Sequence, residues 1–442
     1  MKFPKPPSTS TAYYQVDTIA SPSTDFAPRA GGTYLLDDRT VIRGGLGFYY
    51  EPFTGQLMRE MYAETDFNQN TLTGTPGQSG SLVFPKVVAG FTSVPGGLQD
   101  IIYGTNKFRN PYEEVGTLSI ERRLNARTSI ALSYVDDRGQ RLWTAVDQNL
   151  STPNVIAPNY GYETYTIDNA AGTATGTYTT VVYTLQTIAT NTTGKSDLNS
   201  AHVWEVWNSG GSKYHAVALQ LREQMLYGLS LQGSYTWSHA IDDVNSAPVI
   251  GGVVPASYTP GDFRDDQGNS NFDQRNHAVI NLTWQPPFLK SNSIPARFLI
   301  NGWQISAVAT LTSSLPETPV VLVNGQQFSG IDMLYVNSLN GSGGSNRVPF
   351  ESVNSLAAGG ETNVDARVTR MLPFTERIKG MLMVEAFNAF NHQYTTSVNN
   401  IAYTATSGVL KPVAGVGAPT AAYGAPFGTN ARFCQVAFRI TF

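Results

Sequence analysis

The residues Leu229-Ser-Leu-Gln-Gly-Ser-Tyr-Thr-Trp-Ser238 decide the fold. Odd positions carry Leu229, Leu231, Gly233, Tyr235 and Trp237, and even positions carry Ser230, Gln232, Ser234, Thr236 and Ser238. Successive side chains of a β-strand point to opposite faces, so the stretch predicts a strand with one apolar face and one face of hydroxyls and an amide. Three further segments keep the same period. His277–Trp284 sets Ala278, Ile280, Leu282 and Trp284 against His277, Val279, Asn281 and Thr283. Asn363–Thr369 sets Val364, Ala366 and Val368 against Asn363, Asp365, Arg367 and Thr369. The last residues set Val436, Phe438, Ile440 and Phe442 against Gln435, Ala437, Arg439 and Thr441.

A half-exposed antiparallel sheet in a soluble sandwich alternates in this way too. Two features favour a transmembrane barrel. The polar faces hold bulky charges beside small hydroxyls, as a water-filled lumen tolerates. Aromatic residues gather near strand ends (Tyr49, Tyr50, Tyr235, Trp237, Trp284, Trp303 and Tyr394), where membrane barrels carry their interfacial girdles.

The connections give an independent test. Eleven strands are expected near residues 27–36, 39–50, 113–123, 128–137, 212–226, 229–238, 274–285, 300–312, 363–372, 379–389 and 432–442. Short connections fall at Asp37–Asp38, Leu124–Arg127, Tyr227–Gly228, Pro286–Leu299 and Pro373–Ile378. They alternate with long ones at 51–112, 138–211, 239–273, 313–362 and 390–431. Outer-membrane barrels keep short turns on the periplasmic rim and long loops outside, whereas a soluble sandwich has no reason to hold this alternation through ten connections. The long loops are rich in Gly, Ser, Asn and Pro, as in Asn340–Asn346, and Thr173–Gln186 alternates enough to predict a hairpin inside its loop. Residues 1–26 form a poorly defined lead-in that supplies at most one more strand.

Composition agrees. Among 442 residues, 14% are charged, against roughly 25% in an average soluble protein, and 11% are aromatic. Mean hydropathy is only −0.19, so Gly, Thr, Ser and Asn replace the missing charge. A soluble secreted β-protein shares this balance, and composition leaves both readings open. No stretch of 18 apolar residues provides a helical membrane span. The start, Met1-Lys-Phe-Pro-Lys-Pro-Pro7, lacks the apolar centre of a signal peptide, so either a signal was removed or the chain begins inside a longer protein. Cys434 is the one cysteine, which allows no internal disulfide, and a net charge of −4 without a basic cluster argues against nucleic acid as a partner.

The stretch 239–277 holds His239, Asp242, Asp243, Asp262, Asp265, Asp266, Asp273 and His277. Carboxylates with Asn269 could hold calcium, but Asp265-Asp-Gln-Gly-Asn269 lacks the calcium-loop spacing. A solvated polar loop with Asp pairs to Arg264 and Arg275 is the expectation, with no metal or other cofactor. No Gly-x-Ser-x-Gly elbow is present to present a nucleophile, and no catalytic set is assigned.

Particular motifs then look familiar. Ser212-Lys-Tyr-His-Ala216 with Leu219-Gln-Leu-Arg222, followed by Gly228–Asp243, resembles a hairpin of the Oar-like TonB-dependent receptors. Phe272-Asp-Gln-Arg-Asn-His277 and Trp284-Gln-Pro-Pro-Phe288 are similar to the family's next strand. Asn301-Gly-Trp-Gln-Ile-Ser306, Glu385-Ala-Phe-Asn-Ala-Phe-Asn-His392 and Arg432–Phe442 are similar to its last four strands. Phe26-Ala-Pro-Arg29 and Thr40–Tyr50 match a mid-barrel hairpin. The resemblance implies a barrel of 22 strands around an N-terminal plug, of which this chain corresponds to the C-terminal half, residues 27–442. A self-closed barrel of about twelve strands stays open as an alternative.

By parity Arg222, Asp365, Arg367 and Arg439 fall on the polar, lumen-side face, and Glu385 joins them, although Met383 and Phe387 share its side. Such charges are expected to pair across strands or to meet the plug that the resemblance implies. Val436, Phe438, Ile440 and the terminal Phe442 read as the signal recognised by the outer-membrane assembly machinery. The expected function is uptake of a nutrient across the bacterial outer membrane, energised by a TonB-type coupling protein through an N-terminal part. The alternative is a passive channel or an adhesion scaffold that displays the long loops. Neither is an enzyme.

Overall fold

The structure, a computed structural model, describes residues 25–52, 55–57, 99–104, 109–150, 162–185, 200–244, 248–250, 254–286, 293, 295, 299–333, 337–375, 377–423 and 431–442. Among these residues, eleven long strands follow one another in chain order across a single sheet. They are β1 (Arg29–Asp37), β2 (Thr40–Tyr50), β3 (Tyr112–Arg123), β4 (Thr128–Asp147), β5 (Ser200–Leu226), β6 (Leu229–Asp242), β7 (Asn276–Trp284), β8 (Trp303–Thr312), β9 (Thr362–Pro373), β10 (Lys379–Phe387) and β11 (Phe433–Thr441). Each is antiparallel to the next. Among the described residues no ladder joins β1 to β11, so the sheet has two edges.

The short turns have the chemistry that tight connections need. Tyr227 and Gly228 sit at φ 49° and 80°, the left-handed pair of a two-residue hairpin whose twist matches its strands. Asp37 accepts from the Arg39 amide at 2.7 Å, and the Asn125 side chain accepts from the Arg127 and Thr128 amides at 2.8 and 3.0 Å. Each side chain closes its own turn.

All eleven expected strands are present, but β4 and β5 run further than expected. Alternation predicted an end near 137 and a start near 212, whereas the ribbon continues to Asp147 and begins at Ser200. Register shifts between Gln140 and Leu142 and between Leu142 and Thr144, with Arg141 at φ 59°, mark a bulge. A bulge inserts an unpaired residue and interrupts the period of two, which hides the outer ribbon from a parity reading. Beyond it, Trp143, Ala145, Trp204 and Val206 are buried with Ile102, Ile250 and Val254.

The long loops are less open than their Gly- and Ser-rich composition suggests. Three of them build one five-stranded sheet, in the order 320–324, 401–406, 409–412, 162–168, 174–181. Its core contains Tyr165, Val321, Leu339, Val348, Ala405 and Leu410. The hairpin expected over 173–186 is displaced: Tyr162–Asp168 pairs with Ala174–Val181. Asn169 accepts from the Ala171 and Thr173 amides and Gly172 sits at φ 77°, so the chain turns there, ahead of the expected segment.

The stretch from His239 to His277 is also not a solvated loop. Tyr258, Asp266 and Asp273 are buried. Tyr178 donates to the Tyr258 hydroxyl at 3.2 Å and Asn340 Nδ2 donates to the Tyr258 carbonyl at 2.8 Å, which joins this fourth loop to the five-stranded sheet; together they form a cap at the long-loop end of the strands.

Candidate functional site: the polar face and the cleft above it

Directly opposed residues of an antiparallel ladder share a face, so the registers trace both faces across the sheet. One row runs Ile42, Ile120, Leu132, Leu219, Tyr235 from β2 to β6. A second runs Trp284, Ile305, Val368, Val384, Val436 from β7 to β11. From Ile120 to Tyr235, and throughout the second row, these residues are between 36% and 70% exposed. Ionisable residues bound this apolar face: Glu114 and Arg122 on β3, and His215 and Glu223 on β5. The members of each pair stand eight positions apart, roughly 26 Å along a strand, so nine residues run from one boundary to the other, close to the roughly 9–11 residues of a tilted membrane-spanning strand.

The opposite face carries the charges. One row runs Arg222, Gln232, Asn281, Val308, Asp365, so Arg222 and Asp365 share a level five strands long. The next runs Ser230, Thr283, Ser306, Arg367, Glu385, Gln435. Arg367 forms an ion pair with Glu385, which also accepts from Gln435 Nε2. Glu385 therefore belongs on this face, a placement that Met383 and Phe387 obscured in the sequence. Arg439 lies apart, opposite Met381 and close to the short-turn rim. Asp365 has a local task as well. It accepts from the Asn388 amide at 2.9 Å and anchors the turn in which Asn388 and Asn391 take φ 47° and 54°. That turn explains why asparagine recurs in Phe387-Asn-Ala-Phe-Asn391.

The aromatics divide between two ends and, in two cases, depart from expectation. Trp284 and Trp303 lie on the apolar face at the short-turn end, and Tyr50, Tyr235 and Trp237 lie on it at the loop end. Tyr49 sits opposite Glu113 on the other face, since neighbours on a strand cannot share one, and the Arg29 guanidinium lies 4.1 Å from its ring centre. Tyr394 lies in a loop strand rather than at the end of a spanning one. Val436, Phe438 and Ile440 stand on the apolar face of the edge strand β11, and Phe442 is 96% exposed.

At the loop end of β8 the cap leaves a cleft of about 720 Å³. Its wall comes from four separated stretches: Asp266–Gln274, Thr312–Val320, Ser345–Glu361 and Tyr394–Asn400. Thr312 lies opposite His277 on the polar face, so the cleft stands above that side of the sheet. Arg347 and Asp266 form a buried ion pair in the wall, Nε to Oδ1 at 2.5 Å. Arg347 also donates to the Val348 and Asp265 carbonyls, and Asp266 Oδ2 accepts from the Tyr258 amide. Burial pushes the Asp266 carboxyl above its ordinary value while Arg347 pulls it back. Elsewhere in the acidic stretch the arginines take up carboxylates as expected: Arg264 with Asp262 and Arg275 with Asp273, both at 2.6 Å. Arg264 holds Asp262 down at about 2. No local sequence signal announces the cleft, because its lining residues are brought together only by the folding of the cap.

The family model described as "Outer membrane beta barrel domain" matches residues 7–435. Comparison with curated proteins gives no match. Among solved structures, the outer membrane transporter YddB from Escherichia coli is 9% identical with a TM-score of 0.44, over 92% of this chain and 39% of that one. The ferripyoverdine receptor of Pseudomonas aeruginosa is 8% identical with a TM-score of 0.42, over 94% and 33%. The ferric yersiniabactin uptake receptor FyuA from Yersinia pestis is 12% identical with a TM-score of 0.39, over 94% and 37%. The chain spans 33–39% of the length of these three proteins.

Proposed function

The chain belongs to the outer membrane beta barrel domain family and resides in the bacterial outer membrane, and from that premise we propose that it forms part of the barrel of a TonB-dependent receptor that takes up a nutrient. The observation that carries the reading is the pair of faces: an apolar band, bounded by ionisable residues, toward lipid, and opposite it a face bearing Arg222, Asp365, Arg367, Glu385 and Arg439 toward the lumen. The cap stands over the lumen and captures the ligand from outside. Energy comes from a TonB-type coupling protein acting through an N-terminal part, and Val436, Phe438, Ile440 and Phe442 are read by the assembly machinery. The Oar-like resemblance of the motifs supports the assignment to a receptor, and the chain then represents the C-terminal half of a larger barrel.

Accumulation of the nutrient in cells that make the full-length protein tests this. Uptake that stops when the coupling protein is deleted, or when a protonophore collapses the proton gradient, is the expected result. Uptake that persists unchanged under both treatments identifies a passive channel and ends the receptor reading.

A further inference from the structure

The cleft wall holds three carboxylates, Asp266, Glu317 and Glu361, against a single guanidinium. That guanidinium, Arg347, is 5% exposed and turned into the wall, where Asp266 and two backbone carbonyls take its donors. Among the described residues, the cleft therefore offers no cation to an anionic ligand. What it offers is hydroxyls and amides: Thr312, Ser314, Asn346, Thr395 and Thr396 line it, with Tyr394 beside them. Hydroxyls donate and accept together, amides do both from one group, and carboxylates accept pairs of bonds. That mixture matches vicinal hydroxyl groups, each of which also donates and accepts. A volume of about 720 Å³ falls within the range of small-ligand sites.

We infer that the cleft binds an uncharged, polyhydroxylated ligand, an oligosaccharide of a few sugar units. The inference rests on the receptor reading and assigns its substrate class. The two acidic groups Glu317 and Glu361 supply acceptors for sugar hydroxyls, and Tyr394 gives an aromatic surface on which the C–H face of a sugar ring can rest. A carboxylated or phosphorylated ligand would meet net negative charge in a partly desolvated site, which disfavours it.

The test uses outer-membrane vesicles from cells that make the full-length protein, fluorescently labelled and applied to an array of neutral, acidic and amino-sugar oligosaccharides. Binding to one or more neutral glycans is expected, and no binding to acidic ones. Thr396 is exposed in the cleft, so Thr396→Trp fills the space without disturbing a core, and it should weaken that binding about tenfold or more. Glu361→Gln exchanges an acceptor oxygen for an amide donor and should weaken the same neutral-glycan binding. Heat-modifiable migration of each variant shows that the barrel is intact. Absence of neutral-glycan binding overturns the inference. So does binding of acidic or amino sugars that Thr396→Trp abolishes, or neutral-glycan binding that Thr396→Trp leaves unchanged. Deleting the coupling protein separates the two ideas: binding that stays while accumulation never depended on that protein sinks the receptor reading and leaves the ligand class standing.

Discussion

Leu231 and Gln232 are adjacent in sequence, yet they stand on opposite faces of the sheet. Leu231 is in a row with Leu282, Ala307 and Ala366, whereas Gln232 is level with Arg222 and Asn281. Placing an arginine at Leu231 or Leu282 should cost about 2–4 kcal/mol of barrel stability if the site lies near the bilayer midplane, and placing it at Gln232 or Asn281 should cost far less. Urea titration of the full-length barrel in lipid vesicles measures the difference; equal costs on the two faces would remove the assignment of lipid and lumen. Spin labels give a second check at the same scale. Labels at Leu231, Ile280, Val368 and Phe438 should be accessible to oxygen, and those at Gln232, Asn281 and Arg367 to a water-soluble relaxant. Cys434 lies opposite Ala386 and is exposed, so the native cysteine itself should report lipid. Reversed parity at two strands is enough to overturn the orientation.

The cap makes its own prediction at the scale of elements. Arg347 and Asp266 join the loop after β8 to the loop after β6, and both are almost wholly buried. Removing one partner of a buried pair leaves an uncompensated charge, which commonly costs about 3–5 kcal/mol. Arg347→Met should therefore speed hydrogen exchange of the Val321, Val348 and Tyr258 amides, while amides in β6 to β8 keep their protection. Burial already raises the Asp266 carboxyl, and without Arg347 nothing in that pair lowers it. A raised carboxyl stabilises the fold while protonated, so the variant's cap should hold at acid pH and loosen as pH climbs past the ordinary 3.8. Unchanged exchange, or loosening on acidification, would show that the pair does not hold the cap. The spanning strands were legible because a lipid face and a water face impose a period of two on every one of them. The cap was not, for reasons that are equally physical. Val320–Asn324 pairs in parallel with Ile401–Thr406, a partner far along the chain that no local pattern names. The bulge at Arg141 breaks the parity that would have revealed the outer ribbon of β4 and β5. The cleft inherits both obstacles, whereas the face shared by Arg222, Gln232 and Asn281 followed from parity alone, and only the ladder register set their common level.

At the scale of the whole molecule the decisive quantity is the number of strands. In an antiparallel meander every second strand runs the same way, so β1 and β11 point in one direction. Joining them directly would make a parallel seam, and single-chain bacterial barrels have even strand counts for this reason. Left open, the row of edge amides and carbonyls along Arg29–Asp37 and Phe433–Thr441 would face hydrocarbon, where each unsatisfied group costs several kcal/mol. A second copy of the chain does not help. Inserted with the same orientation, its β1 would meet β11 in parallel at both seams. Antiparallel closure therefore calls for an odd number of strands beyond the eleven among the described residues, and the half-barrel reading supplies them from the rest of a 22-stranded receptor. Produced by itself and refolded into detergent, the 442-residue chain should aggregate or fail to give a heat-modifiable band, whereas the full-length protein should give one. A monomeric, heat-modifiable barrel from these 442 residues alone would mean that one added strand closes the sheet, and the half-barrel reading would fall.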